Sequence, residues 1–146
     1  MTRKSNAATP LRLVESARPP SAAIGIIPDL DCLRETWQRR LGLRDWTVTV
    51  KLCRARDMDD EDSNGEVQIL LNHRRAFIAL RDPLDVKPEY HPENDLEETL
   101  VHELLHLWTE PLSLPDAGPR QVAEEQALNA LAKALVALAR EADPDG

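Results

Sequence analysis

At 146 residues the chain has one-domain length, and 42% hydrophobic with 30% charged residues is the balance of a globular protein with a core of its own. A net charge of -8 excludes strong binding to nucleic acid, which needs clustered Lys and Arg. The two cysteines, Cys32 and Cys53, cannot build a disulfide framework and have no CxxC spacing, so reduced thiols serving as small core residues of a cytoplasmic protein are expected.

The Ser-, Pro- and Arg-containing start has no h-region of a secretory signal and reads as a flexible arm over 1–24, followed by one domain over 25–142 and a short tail, 143–146. In "IPDLDCLRETWQRRLGL", Leu30, Leu33, Trp37 and Leu41 recur at helical spacing and Gly42 supplies a stop. Next, "DWTVTVKLC" alternates Trp46, Val48, Val50 and Leu52, the pattern of a half-buried strand. The acidic "RDMDDEDSNG" reads as an exposed loop, and its spacing lacks the pattern of an EF-hand calcium loop. "EVQILLN" and "RAFIALRD", meeting near His73 and Arg74, read as neighbouring strands, the second with a free edge over Arg75 to Leu80 for an extended peptide.

A proline-rich link then leads into "ETLVHELLHLWTE", where Asn94 as N-cap and Glu97 as its capping-box partner start a helix near Asp95. His102 and His106 lie one turn apart on that helix, so both imidazoles can converge on one ion, and Glu103 sits beside it where a base for water is needed. The bland alternative is a helix whose histidines merely pack or face solvent. Against it, Leu100, Val101, Leu104, Leu105, Leu107 and Trp108 predict a buried helix, in which imidazoles and a carboxylate are costly unless something pairs them. "EPLSLPDAGPR" reads as a loop. From Gln121 to about Arg140 the pattern is helical, with Leu128, Leu131, Leu135 and Leu138 on one face. The apolar run Ala127 to Ala139 is too short and too interrupted to span a membrane.

A hydrolytic zinc site takes three protein ligands. No histidine follows His106, and Thr109 and Leu112 stand where HExxHxxGxxH has its Gly and third His, which excludes a metzincin. Glu110 is too close on the same helix end and Asp116 lies in the loop, which leaves Glu124 and Glu125 at the start of the last helix. Helical phase relative to Leu128 does not choose between them.

HELLH followed by a glutamate on a second helix resembles the gluzincins, and the order of elements over roughly Asp29 to Arg140 is similar to the minimal gluzincins (minigluzincins) and antirepressor metallopeptidases of phage and prophage type. The resemblance implies an α+β, zincin-like fold: a small mixed sheet packed on an N-terminal helix and the HExxH helix, followed by a glutamate helix. It implies Zn2+ held by His102, His106 and Glu125, with Asn129 one turn later supporting a histidine ligand, and Glu103 as general base for a zinc-bound water. Its Glu-to-Asn spacing is what prefers Glu125 to Glu124. The implied activity is a metalloendopeptidase acting on a protein or peptide, and the alternative is a catalytically degenerate zinc-fold protein with a structural or regulatory role. A kinship with the Spartan-like crosslink proteases would require a third His and a basic surface, both missing. The Tyr or His that gluzincins place near the metal has no counterpart after His106, so Tyr90, His91 or His73 would have to serve.

Overall fold

The computed structural model describes residues 27–85, 94–112 and 118–144. The expected arm, together with Tyr90, His91 and Asp116, lies outside the described residues. Asp29 caps the first helix, α1 (Leu30–Arg40), its side chain accepting from the backbone N–H groups of Asp31 and Cys32. Gly42, at φ 70°, ends it in the left-handed region that glycine adopts without strain, as its position in the sequence predicts. Strands β1 (Thr47–Cys53), β2 (Gly65–Leu70) and β3 (Arg75–Arg81) follow, then helices α2 (Leu96–Thr109) and α3 (Gly118–Ala142).

The strands form a mixed sheet in the order β1-β3-β2, with β1 parallel and β2 antiparallel to β3. The alternation read along β1 holds: Val48 is buried and Val50 and Leu52 are half-buried, while Thr47, Thr49 and Lys51 are exposed. The third strand departs from the sequence expectation. The strand Arg75 to Leu80 is central, paired on both sides, so it offers no free edge. Its burial explains this: Ala76, Ile78 and Leu80 are each no more than 1% exposed, which a strand reaches by packing beneath helices and between neighbours. β2 takes the edge position.

The helices cover one face of the sheet. Trp37 of α1, Leu100, Val101, Leu104 and Leu107 of α2, and Leu128, Ala132 and Val136 of α3 join Val48, Ile78 and Leu80 in one core. The face of α3 therefore runs through Leu128, Ala132 and Val136, and Leu131 and Leu138, expected on it, are exposed instead. An i, i+4, i+8 row with small residues lets α3 lie close against α2, whereas a leucine row would hold it away. Helix α3 also starts earlier than Gln121, because Pro119 falls in the first turn, where its missing N–H has no intrahelical partner to lose. Trp108 is 55% exposed, its ring against Gly42 and its Nε1 donating to the Leu41 carbonyl at 3.0 Å. Cys32 is exposed and Cys53 half-buried, so neither is a core residue.

The start of α2 also departs by one residue. Asp95, not Asn94, is the cap, accepting from the N–H groups of Glu97 and Glu98 at 2.9 and 3.1 Å. A carboxylate here can also bind Arg140 of α3, which an amide cannot match in strength. Glu97 makes no capping box. Its carboxylate accepts from Trp37 Nε1 at 2.8 Å and from Arg140 Nη2 at 2.8 Å, tying α1, α2 and α3 together. Glu97→Ala is therefore expected to cost about 1–3 kcal/mol, because it leaves the N–H of a buried tryptophan without its acceptor. A chemical denaturation midpoint unchanged from the parent protein would contradict this.

Burial works against the ionised form of Asp95, but the hydrogen bonds from Arg140 and from the backbone of Glu98 and Glu97 outweigh it and hold the carboxyl below the usual range. A depressed carboxyl stabilises the fold above its ordinary value near 3.8 and loses that contribution as pH falls through the native value. With Arg140→Gln the native value moves back toward the ordinary one. The loss of thermal stability below about pH 4 should then be shallower than in the parent protein.

Candidate metal centre

Helix α2 puts His102 and His106 on one side, one turn apart, and α3 packs across them so that its second turn brings Glu125 to the same point. His102 Nε2 and His106 Nε2 are 3.2 Å apart, and the Glu125 carboxylate oxygens lie 3.1 Å from the first and 3.2 Å from the second. Among the described residues this is the group able to hold a metal ion, its three ligand atoms within 4.8 Å of one another. The separations fit zinc: ligands about 2.0–2.1 Å from a tetrahedral ion stand about 3.3–3.4 Å from each other. Two imidazoles and a carboxylate are also a donor set that zinc accepts with a position left open.

The two glutamates, which helical phase does not separate, differ in their distances to the histidines. Glu125 touches both histidines through Nε2, whereas Glu124 reaches only the far nitrogen of His106, Nδ1, at 3.8 Å. Asn129 lines the same cleft and lies close enough to His102 to favour its charged form. His102 Nδ1 is buried without a hydrogen-bond partner, so Asn129 makes no hydrogen bond to that nitrogen. Burial and the neighbouring His106 lower the His102 pKa, with Glu125 and Asn129 acting against them. A neutral imidazole is the form that binds a cation.

Glu103 lines the same cleft, its carboxyl lying against the start of β2. It is 5% exposed. Burial, then the charges of Glu125 and Glu66, push its carboxyl up to about 8. The start of β2 closes over it. A Cβ at Gly65 would stand 2.6 Å from Thr99 Cγ2 and 2.9 Å from Glu103 Oε1, so the strand approaches the helix at a distance that only glycine allows.

Between β2, α2 and α3 lies a cleft of about 520 Å³ that contains these groups. Ser63, Asn64, Gly65, Glu66, Val67 and Ile69 form one wall; Thr99, His102, Glu103, His106 and Glu110 the floor; Glu125 and Asn129 the other wall. The β2 wall was not visible as part of a site in the sequence, and its signal is the Asn64-Gly65 pair at the head of a strand. Arg81, buried at 4% exposure, fixes this wall: its Nε donates to the Ser63 carbonyl at 2.8 Å and its Nη2 to that of Glu61. Glu66 accepts from the N–H groups of Asp59 and Asp60, which folds the acidic segment into a loop beside the cleft. Met58 of that segment is buried and Ser63, Asn64 and Gly65 are half-buried, its other residues are exposed, and its carboxylates form no group able to hold a metal ion. His73, in the turn between β2 and β3, is exposed and not among the cleft residues. No helix among the described residues is long and apolar enough to cross a membrane.

No family model, curated protein or solved structure matches this chain.

Proposed function

We propose that the protein is a zinc-dependent metallopeptidase of the gluzincin type, with His102, His106 and Glu125 as ligands and Glu103 as general base. The observation that carries this reading is the convergence of two Nε2 atoms and one carboxylate at ligand spacing, directly beside a buried carboxylate in an open cleft. A buried ion pair or a packed histidine pair needs neither the cleft nor the extra carboxylate.

Zinc, when bound, supplies Lewis acidity that polarises a carbonyl and makes water easier to deprotonate. The residues of the chain do the rest. Glu103 takes the proton of the attacking water and returns it to the departing amine nitrogen, a role suited to a carboxyl whose affinity for protons is raised. The free edge of β2, along the cleft wall from Gly65 to Ile69, offers backbone groups to an extended peptide, a role that the central strand β3 has no free edge to fill. The second reading, a zinc-fold protein without turnover, draws on one observation: among the described residues, the cleft is lined by no tyrosine and by no histidine beyond the two ligands.

Incubation of the zinc-loaded protein with an unfolded protein substrate, followed by mass spectrometry of new termini, separates the two. Cleavage that stops on chelation and returns with zinc is expected. Zinc binding with no new termini would favour the silent fold. Elemental analysis should give one zinc per chain, lost in His102→Ala and in His106→Ala, and unchanged metal content in both variants would remove the site. Competition with a chromogenic chelator should show Glu125→Ala binding zinc about tenfold more weakly, with a smaller effect of Glu124→Ala.

A further inference from the structure

The outward side of α3 carries an apolar surface that no described residue covers. At heptad spacing along it stand Arg120, Ala123, Ala127, Ala130, Ala134, Ala137 and Glu141, all exposed. Beside this row lie Leu131, 49% exposed, and Leu138, 61% exposed, seven residues apart on the same side. Alanine is the best helix former, so an alanine row alone says only that the helix is stable. Exposed leucines at that repeat add nothing to an isolated helix and give a partner helix something to bury.

The order of residues along the row indicates which partner. In an antiparallel pair with its dyad between Ala130 and Leu131, Arg120 of one copy faces Glu141 of the other. Ala123 then faces Leu138, Ala127 faces Ala134, and Ala130 faces Leu131. Each leucine meets an alanine, so the helices can approach to about 8 Å, and opposite charges close both ends. A parallel pair in register would set Arg120 on Arg120 and Glu141 on Glu141. We propose that this face of α3 binds a second copy of the chain, giving an antiparallel, two-fold symmetric dimer.

The row from Arg120 to Glu141 is about 32 Å long at the helical rise of about 1.5 Å per residue. One helix pair of that length lies at the small end of specific interfaces, so association in the micromolar range is expected. Glu125 and Asn129 lie on the opposite side of α3, facing the cleft, so pairing leaves both clefts open. The proposal does not depend on the metal centre or on hydrolysis.

Sedimentation equilibrium of the full chain from about 1 to about 200 µM tests it. A monomer–dimer equilibrium is expected, with a dissociation constant on the order of 10 µM. Ala130→Glu sets two carboxylates at the dyad and should weaken association at least about a hundredfold. Glutamate is a good helix former, so the monomer should keep its helical circular dichroism. Arg120→Glu and Glu141→Arg should each weaken the dimer by about tenfold, and the two together should restore it. A chain that stays monomeric at the highest concentration overturns the proposal. So does a dimer indifferent to Ala130→Glu, or a double exchange no tighter than the single ones.

Discussion

Glu103→Gln is expected to lower peptide hydrolysis by about 10²–10⁴-fold while zinc stays bound at one per chain. The amide has nearly the shape of the carboxyl, so the packing of α2 against Gly65 survives. What is lost is the capacity to take a proton. The other carboxylates of the cleft are badly placed to substitute: Glu125 is engaged with both histidines, and Glu66 accepts backbone N–H groups of the acidic loop. The parent protein also holds a carboxyl at 5% exposure, where burial opposes its ionisation. The neutral isostere removes that penalty, so the melting temperature of the metal-free variant should be no lower than that of the parent protein. Turnover in a preparation freed of contaminating proteases, at more than a tenth of the parent rate, would show that another group acts as the base.

The parts of the fold that sequence exposes are those governed by one local pattern. The alternation along β1, the Gly42 stop and the helix around His102 need only neighbours within a few residues, and all are where local pattern puts them. The pair His102 and His106 belongs to the same class, since a helix alone sets it. What one local pattern cannot reach is set by contacts distant in sequence. Leu128, Leu131, Leu135 and Leu138 look alike on a helical wheel, and only the row of α2 against which α3 lies selects Leu128, Ala132 and Val136 as the buried side. The order β1-β3-β2 follows from a parallel pairing across an intervening strand, so nothing inside "RAFIALRD" marks it as central except its lack of charge between Arg75 and Arg81. Asp95 takes the cap because Arg140, 45 residues later, adds a second partner to its carboxylate. Glu125 is separated from Glu124 by the packing of α3 over α2, which places one carboxylate at both Nε2 atoms and leaves the other beside His106 Nδ1.

Gly65→Ala should reduce hydrolysis by about a hundredfold and destabilise the fold by about 1–3 kcal/mol, although Gly65 is neither ligand nor base. Its backbone needs no left-handed conformation, so alanine would ordinarily stabilise a strand at this position. The opposite sign is expected from space alone. The added methyl would meet Thr99 Cγ2 at 2.6 Å, Glu103 Oε1 at 2.9 Å and Glu103 Cγ at 3.3 Å. Thr99 cannot swing aside freely, because its hydroxyl donates to the Asp95 carbonyl at 2.9 Å in the first turn of α2. Either β2 lifts from the helix, which opens the cleft wall that packs on the base, or the Glu103 side chain leaves its place, which moves the base relative to the histidines. The histidines and Glu125 lie on other elements and are not displaced, so zinc affinity should stay within about threefold of the parent value. This combination, hydrolysis lost with metal retained, resembles that of Glu103→Gln, but the loss of stability distinguishes it. Thr99→Ser in the Gly65→Ala background removes the nearest methyl and should recover part of the stability. A Gly65→Ala protein that is as active and as stable as its parent would show that β2 does not press on Glu103.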